Sequence, residues 1–108
     1  MADAWKDLRG MINYSDGGVL SKIIEKSNAA NIALFCMAEN TEISSHTSTK
    51  AGYVYVLEGN GTFILENEEI PMKPGTFINL SPNAVHSLIV KSNTSFVLFL
   101  INNTVEFT

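Results

Sequence analysis

The sequence has few of the residues that mark an exported or nucleic-acid-binding protein. It contains one cysteine, Cys36, so no disulfide can form within the chain. Its seven lysine and arginine residues are scattered and are outnumbered by eleven acidic residues, which gives a formal net charge of −4. Nucleic acids and anionic membrane surfaces bind proteins through clustered positive charge, so the sequence argues against both as partners.

Long apolar runs are also missing. Strictly apolar runs, such as residues 96–101, are far shorter than the ~20 residues of a membrane-spanning helix. The opening segment MADAWK has no apolar stretch of the kind found in signal peptides. We therefore expect a cytoplasmic protein, and a chain of 108 residues that is 45% hydrophobic predicts a single domain over residues 1–108.

A regular series of short apolar segments fills most of the chain. They recur about every ten residues with asparagine, glycine or proline between them, a spacing typical of β-sandwiches and barrels. The predicted strands are residues 19–25, 31–38, 42–47, 53–57, 61–66, 69–72, 76–80, 84–91 and 95–101. Before them, Trp5, Leu8 and Ile12 recur at helical spacing and predict one short helix that ends near Asn13. The fold class predicted is all-β with a short N-terminal helix.

The two histidines, His46 and His86, are the side chains whose ordinary pKa lies nearest to neutral pH. Side chains two residues apart share one face of a strand, so His86 shares an apolar face with Leu88 that should point into the core. By the same rule His46 shares a polar face with Ser44 and Ser48. The two histidines could together line a polar pocket, or each could be a structural residue whose nitrogens are hydrogen-bonded.

Two stretches of the sequence resemble the two motifs of the cupin family. The stretch HTSTKAGYVYVLEG, from His46 to Gly59, resembles the first motif, and GTFINLSPNAVH, from Gly75 to His86, resembles the second. The resemblance covers about residues 17–101 and implies a cupin-type double-stranded β-helix, which is an antiparallel jelly-roll barrel. In that family two histidines and a glutamate from the first motif and one histidine from the second hold a metal in the barrel mouth.

Carried over to this chain, the resemblance makes His46 and His86 metal ligands. Ser48 stands where the second histidine is expected, Gly52 where the glutamate is expected, and Val90 where an asparagine often follows the second motif. Two of the four ligands are therefore missing, including the carboxylate, whereas catalytic zinc sites normally have three protein ligands. No cofactor is certain, and a divalent transition metal (Zn, Ni or Fe) held by the two histidines is one possibility.

Three functions follow from these residues. The first, which we favour, is a small-molecule-binding barrel with its ligand pocket around His46, Ser48 and His86. The second is a metal-dependent cupin enzyme of the dioxygenase or isomerase type, which would use His46 and His86 as the remaining ligands. The third is metal-free acid–base chemistry by one histidine. The family resemblance also implies a homodimer, and a partner subunit could cover the segment at 95–101, which is apolar on both faces.

Overall fold

Alternating apolar side chains, interrupted by asparagine and glycine, form nine strands and one helix within residues 4–102, the part of the chain that this computed structural model describes. The helix α1 spans Leu8–Met11. The strands are β1 (Val19–Lys26), β2 (Ala30–Met37), β3 (Glu42–His46), β4 (Gly52–Glu58), β5 (Gly61–Leu65), β6 (Glu68–Met72), β7 (Phe77–Leu80), β8 (His86–Val90) and β9 (Thr94–Ile101). Each of the nine predicted strands is present, with ends within two residues of the prediction.

The N-terminal helix is shorter than the spacing of apolar residues predicted. It has four residues and begins at Leu8, while Trp5 lies outside it with 77% of its surface exposed. Among residues 4–102 no side chain caps its first turn, and a helix this short is held by packing against the sheet, which Trp5 does not join. No helix within residues 4–102 is long and apolar enough to cross a membrane.

The strands form two sheets in which every paired neighbour is antiparallel. The larger sheet has the order β1-β2-β9-β4-β7, and the smaller sheet has the order β3-β8-β5-β6. Strands that follow one another in the sequence often belong to different sheets, so the chain crosses repeatedly from one sheet to the other. This is the jelly-roll arrangement that the sequence predicted.

The main core fills the space between the two sheets. Inward-facing residues alternate along β4, where Val54 and Val56 are buried, and along β8, where Leu88 and Val90 are buried. The cluster consists of Met37, Val54, Val56, Phe63, Met72, Ile78, Leu80, Leu88, Val90 and Phe96. Removing these side chains from water is the main stabilising contribution to the barrel.

A second apolar cluster lies on the outer face of the larger sheet. There Leu34, Cys36 and Val97 are buried. The N-terminal segment covers them, with Leu8, Met11, Ile12 and Tyr14 among the packing residues. At Val97 the outer face of β9 is therefore covered by the N-terminal segment of the same chain. The expectation that a partner subunit covers this face was wrong at that residue. The homodimer stays a prediction.

The predicted turns owe their shape to residues that tolerate positive φ. Asn40, Asn67 and Asn83 have φ values of 63°, 72° and 68°, which asparagine adopts more readily than most residues. Between β4 and β5, Gly59 has a φ of 119° and packs so closely on Thr94 that a side chain has no room. These turns fix the register of the strands that carry the two histidines.

Candidate functional site

His46 and His86 lie side by side at one end of the barrel. β3 ends at His46 and β8 begins at His86, and the two residues are direct partners in the antiparallel pairing of these strands. Their rings meet edge to face, with centroids 4.1 Å apart and planes at 62°. The structure thus brings together two side chains that are 40 positions apart in the sequence.

An irregularity in β3 determines which way His46 faces. The pairing with β8 shifts between Ile43 and His46, and both of these residues line the barrel interior although they are three positions apart. Ser44 and His46 are both exposed, but only His46 lines the barrel interior, so the predicted polar face of Ser44, His46 and Ser48 was wrong at its first member. No glycine or proline marks the irregularity in the sequence, and simple alternation could not have predicted it.

Backbone carbonyls fix the tautomer of both histidines. Nδ1 of His46 lies 2.8 Å from the carbonyl oxygen of Ser44, and Nδ1 of His86 lies 2.9 Å from that of Ala84. A carbonyl oxygen only accepts hydrogen bonds, so each Nδ1 carries the hydrogen. In the neutral rings both Nε2 atoms are therefore left as acceptors, for a hydrogen-bond donor or for a metal ion.

The surroundings of His86 favour its neutral form. Only 8% of its surface is exposed, and its ring stacks on buried Phe63 at a centroid distance of 5.7 Å. Burial lowers the pKa of His86 below its ordinary value, and the hydrogen bond to Ala84 opposes this shift, while the neighbouring His46 adds to it. His86 is thus a neutral acceptor near pH 7.

Behind the histidines lies a cavity of about 110 Å³, which we call the inner chamber. Its wall is apolar except for the two histidines, and it lies between the two sheets. The lining residues are Phe35, Ile43, His46, Val54, Phe63, Leu80, His86, Leu88, Phe96 and Leu98. Such a chamber favours an apolar group with a hydrogen-bonding atom near the histidines.

A second cavity of about 130 Å³, the outer chamber, adjoins the first. It shares two histidines and two leucines with the inner chamber and adds polar residues. The lining residues are His46, Ser48, Lys50, Leu80, Ser81, His86, Leu98 and Leu100. Ser48, one of the predicted pocket residues, lines this chamber together with both histidines. Lys50 was not predicted, although alternation from His46 through Ser48 to Lys50 would have indicated it.

The residues present do not fit a three-ligand catalytic metal site. Within residues 4–102 no three His, Cys, Asp or Glu side chains cluster in a way that could hold a metal ion. A Cβ at Gly52 would lie 2.9 Å from the carbonyl oxygen of Phe99, so this position has no room for the expected glutamate. Oε2 of Glu58 accepts a hydrogen bond from the Tyr14 hydroxyl at 2.7 Å, and Tyr14 packs against the apolar cluster on the outer face of the larger sheet. What remains is a pair of imidazole nitrogens.

Among the described residues 4–102, neither histidine has the carboxylate partner that acid–base catalysis commonly uses. The Nδ1 hydrogen of each is directed at a main-chain carbonyl. A carboxylate in that place would raise the basicity of the ring, and a neutral carbonyl does so less. The geometry therefore favours binding over proton abstraction.

Comparison with known proteins agrees with the fold described above. A family model described as "Cupin domain" matches residues 33–102, and no curated protein matches the sequence significantly. A conserved protein of unknown function from Streptococcus pyogenes superposes with a TM-score of 0.85 at 19% identity, over 97% of this chain and 93% of that one. A cupin superfamily protein from Desulfitobacterium hafniense gives a TM-score of 0.81 at 18% identity, over 87% and 86% of the two chains.

The structural neighbours include an enzyme. The salicylate 1,2-dioxygenase from Pseudoaminobacter salicylatoxidans, in its adducts with gentisate, has a TM-score of 0.73 at 13% identity. The match covers 79% of this chain and 25% of the dioxygenase. At such identities the likeness shows the fold, and one fold hosts many chemistries.

Proposed function

This chain belongs to the cupin-domain family, and we propose that its barrel binds a small, largely apolar molecule against His46 and His86. The inner chamber is the observation that carries the proposal. Its wall is apolar apart from two neighbouring imidazoles whose Nδ1 hydrogens are already bonded to the main chain. Pockets of this kind, apolar with a few convergent polar atoms, are the usual form of small-molecule sites.

The two histidines define which polar group the ligand should carry. Their Nε2 atoms are acceptors in the neutral rings, so they favour a hydroxyl or N–H donor. The size of the apolar part follows from the inner chamber of about 110 Å³. Because an engineered apolar cavity of roughly 150 Å³ binds benzene, we expect a single ring or a group of similar size.

Phenol and toluene test this proposal, because they have the same shape and differ by the donating hydroxyl. Binding is followed by the thermal shift of the wild type and by amide chemical shifts in NMR. Leu88→Phe fills the inner chamber, while Ile89→Phe adds the same ring at the next residue, which is 46% exposed. Leu98→Phe is a second filling variant for the case in which Leu88→Phe does not fold.

We expect phenol to bind the wild type and Ile89→Phe, and to perturb amides around the inner chamber. Toluene should bind more weakly, and the filled variants should bind neither compound. The proposal is wrong if neither compound shifts the wild-type amides, or if the filled variants bind both compounds as tightly as the wild type does.

A metal-dependent enzyme is the second candidate, favoured by the two adjacent imidazoles with free Nε2 atoms. The dioxygenase among the structural neighbours supports it through the fold alone, because that enzyme has the same fold and a dioxygenase activity. His46 and His86 would hold the ion, and zinc, nickel and iron all accept imidazole ligands. With no third ligand among residues 4–102, such an ion would need water or the substrate to complete its shell.

Elemental analysis tests this second candidate on protein purified without a polyhistidine tag. About one equivalent of a transition metal in the wild type and none in a His46→Ala/His86→Ala variant would support it. A wild type that stays empty after dialysis against zinc, nickel and ferrous ions would rule it out.

A further inference from the structure

Lys50 gives the mouth of the barrel a positive charge. It lines the outer chamber and is half-buried there. No aspartate or glutamate of the described residues, 4–102, lines either chamber. The outer chamber is therefore electropositive, although the chain as a whole carries a net charge of −4. A local field opposite to the overall charge selects for an anionic group at this place.

Asn102 holds the Lys50 ammonium in position. Nζ of Lys50 donates to Oδ1 of Asn102 at 2.7 Å. Asn102 is itself held, because its Nδ2 donates to the carbonyl oxygen of Ser27 at 3.0 Å and its backbone N–H to that of Ala29 at 2.8 Å. An ammonium group has three N–H donors, so two remain for a ligand. The Lys50 side chain has therefore already lost conformational entropy in the free protein, and ligand binding costs less for that reason.

Two hydroxyl groups add donors to the same chamber. Oγ of Ser48 accepts the backbone N–H of Lys50 at 3.2 Å, which leaves the Ser48 hydroxyl hydrogen free to donate. Ser81 presents a second hydroxyl. The floor below them is formed by Leu80 and Leu98, which also line the inner chamber. An ammonium and two hydroxyls above an apolar floor match the acceptor-only chemistry of a carboxylate.

From this arrangement, and resting on the proposed function, we infer that the ligand is a small organic acid. Its apolar part occupies the inner chamber, and its carboxylate is bound in the outer chamber by Lys50 with Ser48 and Ser81. The two chambers share His46 and His86, so one molecule passes the histidines on its way from one chamber to the other. Lys50 is thus a specificity-determining residue that distinguishes acids from neutral molecules of the same shape.

Mandelate and mandelamide test the inference, because both carry a phenyl ring for the inner chamber and a hydroxyl donor for the histidines, and they differ in charge. Isothermal titration at low ionic strength compares the wild type with Lys50→Met, which keeps most of the apolar stem and removes the charge. Lys73→Met is the matched control, since Lys73 is exposed in the turn before β7 and lines neither chamber. Lys50→Arg retains the charge, and circular dichroism shows whether each variant folds.

We expect the wild type, Lys73→Met and Lys50→Arg to bind mandelate at least about tenfold more tightly than mandelamide, with a preference that weakens as salt is added. Lys50→Met should bind both compounds equally. Equal binding of both by the wild type, or an unchanged preference in Lys50→Met, overturns the acid inference and leaves the proposed function standing. If the wild type binds neither these two compounds nor phenol, both proposals are wrong.

Discussion

The ring of Phe63 lies parallel to that of His86, with their planes 7° apart and their centroids separated by 5.7 Å. Phe63 is buried on β5, the strand that pairs with β8. A buried aromatic ring on one side and the edge contact with His46 on the other restrict His86 to one orientation. The core of the barrel therefore positions the site directly.

This relationship predicts the effect of Phe63→Leu. The smaller side chain leaves part of the stacking surface of His86 empty, so we expect a loss of about 1–2 kcal/mol in the free energy of unfolding. The binding of phenol should weaken as well, because His86 gains orientational freedom. Urea unfolding and NMR titration measure the two effects.

Phe77→Leu is the control for this prediction, because Phe77 is 61% exposed. It should change the free energy of unfolding by about 0.5 kcal/mol or less and leave phenol binding intact. Equal effects of the two substitutions would show that the stack with His86 contributes nothing specific.

The sequence predicted most of the fold because two local rules agree throughout the barrel. Inward positions such as Val54 and Val56 are apolar at a spacing of two, and turn positions such as Asn40 and Asn83 tolerate positive φ. The helix prediction extended too far because Trp5 has the right spacing but nothing to pack against. The spacing of apolar residues indicates which side chains could share one face of a helix. It does not indicate whether another part of the protein packs against that face.

The candidate site was predictable in part. The two motifs identified His46, Ser48 and His86, and the structure brings all three to the outer chamber. The position of Ser44 was wrong, because strand alternation fails across the irregularity between Ile43 and His46. Alternation from His46 could have indicated the position of Lys50, but not the hydrogen bond that holds its ammonium, because Asn102 is 52 positions away and is brought close by the antiparallel pairing of β4 with β9.

Because of Tyr14, we expect the free energy of unfolding to depend on pH in the alkaline range. Burial, and then the hydrogen bond from its hydroxyl to Glu58, raise the pKa of Tyr14 from 10.0 to about 12. The unfolded chain therefore loses this proton at a lower pH than the folded protein. The stabilisation is complete below pH 10 and is lost as the pH rises from 10 through about 12.

Urea unfolding between pH 9 and 11.5 measures this loss. Tyr14→Phe should show a smaller decrease in the free energy of unfolding over that range than the wild type. Tyr55→Phe makes the same substitution at a tyrosine that is 42% exposed and should behave as the wild type does. An identical decrease in all three proteins would mean that Tyr14 is not the group responsible.

Gly59 and Gly75 provide a matched pair that separates backbone strain from crowding. Both have positive φ, 119° and 93° respectively, so alanine at either position costs about 1–2 kcal/mol in strain. A Cβ at Gly75 meets no atom of residues 4–102 within 4 Å, whereas one at Gly59 would lie 2.5 Å from Cα of Thr94. Because Thr94 is buried and its Oγ1 accepts the backbone N–H of Asn60 at 3.0 Å, it cannot move aside without breaking this hydrogen bond.

We therefore expect Gly59→Ala to lower the free energy of unfolding by about 3 kcal/mol or more, and Gly75→Ala by about 1–2 kcal/mol, in urea titrations. Equal losses would show that the turn between β4 and β5 can relax, and that the contact with Thr94 does not fix the register of the two strands.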